Sequence, residues 1–374
     1  MAEERFSLKD HLFNADSIGD LAAEYSAALP GFDADGFVAE VLAGFADREL
    51  MARLDWIADC LEPRLPAAFP EMADALEAAM PAPLDPGRGD DDFGRFIHAV
   101  PGILAVRHGV EAHRERALDL IYAATQRFSM EFYIRSFLNR WPEETLARIA
   151  IWAEDDNYHV RRLVSEGTRP KLPWAKAVSL TPDQTLPLLD RLYGDPTRYV
   201  TRSVANHLND LTKSVPEEVY ARLTAWAEEG RQDPKELAWM TRHALRTALK
   251  AGDRAALRLL GFDPGADVAV RVELAQNQVR IGAALDFAVH LTAPEDMSVL
   301  VDYVIVFPGP SGKHRQKVFK LKQAVLRAGE LRVLHKRHKL KGNATTFTLV
   351  PGAHHLAIQV NGVIRAETAF DLNA

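Results

Sequence analysis

From Leu8 to about Leu260, apolar residues recur at spacings of three and four, as in Phe37, Val41, Leu42 and Phe45 and again in Leu118, Ile121 and Tyr122. That period predicts amphipathic helices. Residues 81–93 break it with Pro-Leu-Asp-Pro-Gly-Arg-Gly and three successive aspartates, which reads as a long surface loop separating a helical lobe, 1–95, from the repeats over 96–262. After Gly261-Phe262-Asp263-Pro264-Gly265 the period changes to two. Alternation over 268–274, 285–291, 299–307, 346–350 and 355–364 predicts strands. About seven short strands over residues 267–374 suggest a β-sandwich of immunoglobulin-like type.

Self-comparison shows a repeat inside the helical part. Pro142-Glu-Glu-Thr-Leu-Ala-Arg148 with Trp152-Ala-Glu154 recurs as Pro216-Glu-Glu-Val-Tyr-Ala-Arg222 with Trp226-Ala-Glu228, and Pro182-Asp-Gln-Thr-Leu186 is a degenerate copy between them. Each copy opens a helix, because proline suits the first helical position and acids complement the positive end of the dipole. A second helix succeeds each of these, with Arg162, Arg202 and Arg242 at equal spacing. Helix pairs with a period near 40 residues define a HEAT-like solenoid whose second helices line the concave side. The expected fold is therefore an α+β multidomain chain: an α-helical HEAT-like repeat solenoid over 1–262, then an all-β immunoglobulin-like sandwich over 267–374. The arginine row fits either salt bridges between helices or phosphate contacts.

Charge is distributed unevenly. Residues 1–100 carry 21 acids against 7 bases, whereas 267–374 carry 9 against 14. Residues 313–341 hold eleven Lys or Arg against the single acid Glu330, a concentration that favours an anionic partner over a solvated face. No stretch is long and apolar enough to cross a bilayer, and the start, MAEERFSLKD, lacks a signal pattern, so a cytosolic protein is expected. The only cysteine, Cys60, can form neither an internal disulfide nor a cysteine zinc site by itself.

No Gly-rich phosphate loop, His-Glu-x-x-His pair or Gly-x-Ser-x-Gly elbow occurs, and no metal is expected. What remains are acids beside bases and aromatics. Glu131 lies among apolar residues in Ser129-Met-Glu-Phe-Tyr-Ile-Arg-Ser-Phe137, and Glu166 stands four residues after Arg162. Such acids either pair with arginines structurally or are held for work on a cation.

Four segments carry a resemblance: Phe6-Ser-Leu-Lys-Asp-His-Leu-Phe-Asn14, Met130-Glu-Phe-Tyr-Ile-Arg-Ser-Phe137, the block from Asn157-Tyr-His-Val-Arg-Arg to Lys171-Leu-Pro-Trp174, and Arg198-Tyr-Val-Thr-Arg-Ser-Val-Ala-Asn-His-Leu-Asn-Asp210. Over about residues 5–262 the chain resembles the AlkC branch of the AlkC/AlkD alkylpurine DNA glycosylases, and its sandwich resembles the extension of one subgroup. The resemblance implies a cofactor-free, monomeric glycosylase in base excision repair. Its substrate would be double-stranded DNA with cationic N3-methylated bases, 3-methyladenine and 3-methylcytosine, and the lesion would stay unflipped. It also implies catalytic roles for Glu166 and Glu131 and contact with the lesion by Trp239, Arg202, Trp174, Asn206 and Asp210. DNA backbone contacts would come from Arg161, Arg162, Arg169, Lys171, Arg198, Arg242, His243, Arg246 and Lys250, and from Lys313, Arg315, Lys317, Lys336, Arg337 and Lys339 in a basic sandwich loop. The alternatives are a non-catalytic repeat scaffold binding DNA or protein, and a carbohydrate- or protein-binding module led by the sandwich.

Overall fold

The computed structural model describes residues 7–90, 92–308, 314–342 and 349–374. Its helices run from Leu8–Leu12 to Arg254–Leu259, and its strands from Ala269–Leu274 to Val363–Asn373. Packing groups residues 1–215 with 226–244 in one unit and residues 216–225 with 245–374 in another.

In the first unit, the repeats are helix pairs. Pro142–Trp152 precedes Tyr158–Gly167, and Pro182–Leu192 precedes Arg198–Leu211. A third pair is Pro216–Glu229, of which residues 216–225 group with the second unit, and Pro234–Ala244. The second helices pack on one another in succession. Proline occupies the start of each first helix, where its missing N–H costs nothing. The recurrent tryptophan has a packing reason. Trp152 tilts against Tyr122 at 5.7 Å between centroids, and Trp226 stacks on Tyr193 at 4.5 Å, so each covers an aromatic ring from an earlier helix or its end.

Ion pairs fasten successive repeats. Arg161 reaches Asp195 with Nε at 2.6 Å and Nη2 at 3.2 Å, while its Nη1 donates to the carbonyls of Asp155 and Asp156. Asp195 in turn accepts from the backbone N–H and hydroxyl of Thr197, which starts the next helix. Gly89 and Asp90 lie against that helix: Asp90 pairs with Arg202, and the Gly89 carbonyl accepts from Tyr199 N–H.

The second unit contains the sandwich. Its strands are β1 (Ala269–Leu274), β2 (Gln278–Arg280), β3 (Ala284–Thr292), β4 (Met297–Pro308), β5 (His314–Leu326), β6 (Arg332–Lys339), β7 (Gly352–Val360) and β8 (Val363–Asn373). They form sheets ordered β1-β3-β6 and β2-β8-β7-β4-β5 around a core that includes Leu285, Val289, Tyr303, Ile305, Leu356 and Ile358. Two expectations change. The basic run expected as a loop at 313–341 forms, over its described residues, chiefly the edge strands β5 and β6, whose polar faces solvent can reach. The stretch 355–364 is not one strand but the β7–β8 hairpin, turned at Asn361 (φ 48°) and Gly362 (φ 78°), the Asn-Gly pair that a two-residue turn of this hand needs. Of the strand expected at 346–350, residues 346–348 lie outside the described residues, and Leu349 and Val350 are not in a strand.

The hairpin turn also fixes the helices just before the sandwich. Gly362 and Gly252 approach so closely that a Cβ on Gly252 would stand 2.8 Å from the Gly362 carbonyl oxygen. Asn361 donates to the Asp263 carbonyl, and Arg365 donates to those of Pro264 and Ala266.

On β4, Asp302 is 6% exposed. Burial pushes its carboxyl up to about 6, against the pull of Lys320 and Lys250. Because the folded value exceeds the ordinary 3.8, folding takes up a proton between these values. Stability should then fall as pH rises from about 4 to about 6 and stay level above. Asp302→Asn should raise the stability of this unit by about 3 kcal/mol at pH 8 and change little at pH 4, since a pKa shift of one unit corresponds to about 1.4 kcal/mol. Chaotrope unfolding at the two pH values measures this, and equal gains at both would disprove it.

Candidate active site

Glu166 stands near the C-terminal end of the helix Tyr158–Gly167 and is 4% exposed. A buried anion at the negative end of a helix dipole needs strong compensation. Arg169 supplies it through Nη1, 2.6 Å from Oε1, and the Ser203 hydroxyl donates to Oε2 at 2.6 Å. Arg162 Nη2 lies 3.6 Å from Oε2. Burial would raise the Glu166 carboxyl, but the charges of Arg162 and Arg169, with the hydrogen bonds from Ser203 and Arg169, outweigh it and hold the group below the usual glutamate range.

Arg162 joins the two predicted carboxylates. Its Nη1 donates to Glu131 Oε2 at 3.0 Å and to the Ser129 hydroxyl at 2.7 Å, and its guanidinium carbon lies 4.7 Å from the Tyr199 ring centroid. Burial alone would lower its pKa; Glu131, Tyr199 and Glu166 more than reverse this and keep it a permanent cation. On the other side, Arg169 bridges Glu166 to Asp210, with Nε and Nη2 at 3.0 and 2.9 Å from Oδ2. Glu131, Arg162, Glu166, Arg169 and Asp210 thus form one alternating chain of charge. Glu131 and Asp210, with side chains 13% and 11% exposed, are more open than Glu166 at 5%.

Arg135, fully buried, supports this chain from behind. Its Nη1 donates to the carbonyls of Gly167 (3.1 Å) and Arg169 (2.9 Å), Nη2 to that of Pro170 (3.4 Å), and Nε to that of Lys176. Asn139, one turn further on the same helix, Ile134–Arg140, donates to the Ala177 carbonyl at 2.8 Å and accepts from Ser179 N–H. Together they pin the segment that carries Trp174. That tryptophan has φ 63°, a left-handed value uncommon for a bulky residue, and is 71% exposed.

The remaining predicted residues separate into groups. Trp239 lies under the Arg198 guanidinium at 3.8 Å and stacks with His243 at 5.0 Å, and His243 Nε2 is 2.9 Å from Asn206 Oδ1. Arg198 Nε also meets Glu236 at 2.7 Å. A ring engaged in this way can meet a sugar at its face only if Arg198 or His243 moves. Arg161 and Arg202, expected on phosphate and lesion, are engaged here by Asp195 and Asp90 of their own chain. Arg162 and Arg169, also expected on phosphates, pair with Glu131, Glu166 and Asp210. Arg242, Lys171 and Lys250 are exposed, and Arg246 is half-buried. In the sandwich, Arg315, Lys317, Arg337 and Lys339 are exposed and Lys336 is half-buried near the Tyr303 ring. Lys313 lies outside the described residues.

Sequence reading missed Ser203, Ser129 and Arg135. One signal was available: Leu163, Ser203 and His243 occupy equivalent repeat positions, and only serine there is small and carries a hydroxyl donor.

A row of repeat helices that buries carboxylates between arginines, in a chain that ends in a two-sheet sandwich, has a known counterpart. The chain aligns over 99% of its length, and 100% of the other, with an alkylpurine DNA glycosylase, AlkC of Pseudomonas fluorescens, in complex with DNA containing an abasic site analog. The TM-score is 0.87 at 32% identity. The class is therefore that of helical-repeat DNA glycosylases. Residues 269–374 match the family described as "Uncharacterised protein YhaZ, C-terminal Ig-like domain". The chain is also 30% identical over 366 residues to the uncharacterized protein YhaZ of Bacillus subtilis (strain 168), covering 96% of this chain and 98% of that one. The chain belongs to the AlkC family, in the form that carries a C-terminal immunoglobulin-like domain. Among the described residues no helix is long and apolar enough to cross a membrane, and no group of three or more His, Cys, Asp or Glu could hold a metal ion.

Proposed function

We propose that this protein is a monofunctional DNA glycosylase that removes cationic N3-methylated bases, 3-methyladenine and 3-methylcytosine, from duplex DNA. It would act as a cytosolic monomer in base excision repair. The reading rests on the buried carboxylate of Glu166, held ionised by Arg162, Arg169 and Ser203 beside the more open Glu131. Methylation leaves the base positively charged. When the N-glycosidic bond breaks, its electron pair goes to the base, which leaves neutral, and positive charge passes to C1′ of the deoxyribose. Glu166, a poor base but a strong fixed anion, stabilises that charge. Water adds to C1′ and gives its proton to Glu131, whose side chain is the more open. No acid, metal or nucleotide cofactor is required, and the lesion stays in the duplex, with Trp174, Asp210 and Asn206 placed against it.

Lys171, Arg242, Arg246, Lys250 and the basic strands β5 and β6 would meet the phosphate backbone, which fixes register without reading sequence. Replacing Arg315, Lys317, Lys336 and Lys339 together by serine should reduce the slope of log affinity against log salt by about 3 to 4, at about 0.9 for each phosphate no longer neutralised. An unchanged slope would remove β5 and β6 from the DNA-binding surface.

One observation favours a non-catalytic scaffold: Arg161, Arg169, Arg198 and Arg202 are neutralised by acids of their own chain. Release of 3-methyladenine from methylated duplex DNA, measured beside DNA affinity, separates the readings. A protein that binds DNA and frees no base is the scaffold.

A further inference from the structure

We propose that Ser203 is a positioning residue for Glu166, and that Ser165 acts behind it in a two-hydroxyl relay; this deepens the glycosylase reading and rests on it. Ser203 Oγ lies 2.6 Å from Glu166 Oε2 and 3.0 Å from Ser165 Oγ. Ser203 is 2% exposed, and Ser165 is fully buried. A serine hydroxyl has one proton, and an ionised carboxylate can only accept. The Ser203 proton therefore points to Glu166, so Ser203 Oγ must accept the proton of Ser165. Each hydroxyl polarises the next, which strengthens the bond to the carboxylate.

The geometry gives Ser203 work that the arginines cannot do. Arg169 holds Oε1, and Arg162 stands 3.6 Å from Oε2, beyond a good hydrogen bond. Ser203 alone fixes the rotation of the carboxyl plane through Oε2. Without the hydroxyl, Glu166 would turn toward Arg162, and its hold on its charge would weaken. His207, buried on the same helix as Ser203, keeps the relay in place by its contact with the Ser165 carbonyl at 3.1 Å. The position is specific to this repeat, because the equivalent residues are Leu163 and His243.

The test is single-turnover release of 3-methyladenine from methylated duplex DNA by wild type, S203A and S165A at pH 5 to 8. Affinity for an abasic-analogue duplex and thermal unfolding are measured in parallel. S203A should be slower by about 10- to 100-fold, the loss expected of one charge-assisted hydrogen bond. The deficit should grow toward pH 5, where a carboxyl with less support begins to take up a proton, and affinity should stay within about twofold. S165A should show the same pH trend with a smaller deficit, and it carries the test if S203A is unfolded at the assay temperature. A variant with the wild-type rate and pH profile overturns the proposal. So does one whose slower rate is constant with pH and matched by weaker affinity. If wild type itself frees no base, the glycosylase reading fails instead.

Discussion

Glu166→Gln is expected to slow base release by about 100- to 1,000-fold, the size found when one preorganised electrostatic group is taken from an active site. The amide keeps the shape of the side chain and can still accept from Ser203 or Arg169, so the loss isolates the charge. DNA affinity should equal or exceed that of wild type, because one negative charge leaves a surface that meets phosphates. Removing one partner of a buried ion pair commonly costs about 3–5 kcal/mol. Here the cost should be smaller, since Arg162 keeps Glu131 and Arg169 keeps Asp210. Base release and filter or fluorescence binding on the same preparations measure both effects. Release at the wild-type rate would reduce Glu166 to a counter-ion of the scaffold.

Arg135→Ala should cause the largest loss of stability in the helical unit, about 4 kcal/mol. The substitution leaves the Gly167, Arg169, Pro170 and Lys176 carbonyls without their donor, each worth about 1–3 kcal/mol if it stays buried and unpaired. For a unit of this size the melting temperature should fall by roughly 8–16 °C. Burial, helped by the nearby Arg169, pushes the Arg135 guanidinium down to about 10, so it remains charged at neutral pH, and the carbonyls at the end of the helix Tyr158–Gly167 are a fitting place for that charge. Arg135→Lys should recover only part, because one ammonium cannot reach four acceptors spread over ten residues. A drop below about 1 kcal/mol for Arg135→Ala would mean that water or neighbours satisfy the segment without it.

The helical repeats were legible because their period and their repeated Pro-Glu-Glu and Trp-Ala-Glu segments report packing that each copy repeats. The edge strands β5 and β6 were not, since lysines, arginines and histidines crowd their sequence and hide the few inward positions, such as Leu326 and Leu334, that pack on the core. The Asn361-Gly362 turn was signalled by its residue pair and obscured by the strand-like residues that continue on both sides of it. In the site, Arg162 and Glu166 were readable as an i, i+4 pair. The equal spacing of Arg162, Arg202 and Arg242 could not show that the first joins two carboxylates, the second pairs with Asp90, and the third is exposed. Those differences depend on what faces each arginine from distant parts of the chain, such as the loop 81–93. Ser203 escaped for the same reason, because its partner lies one repeat away.

Trp174 gives the molecule an optical property of its own. Of the six tryptophans, Trp152 and Trp226 are buried and Trp56, Trp141 and Trp239 half-buried, whereas Trp174 is open to water at the tip of the segment that Arg135 and Asn139 pin. An indole so placed emits at the long-wavelength end of the protein's spectrum, apart from the interior rings. The native fluorescence of the unlabelled chain therefore separates the surroundings of that one residue from the state of the core.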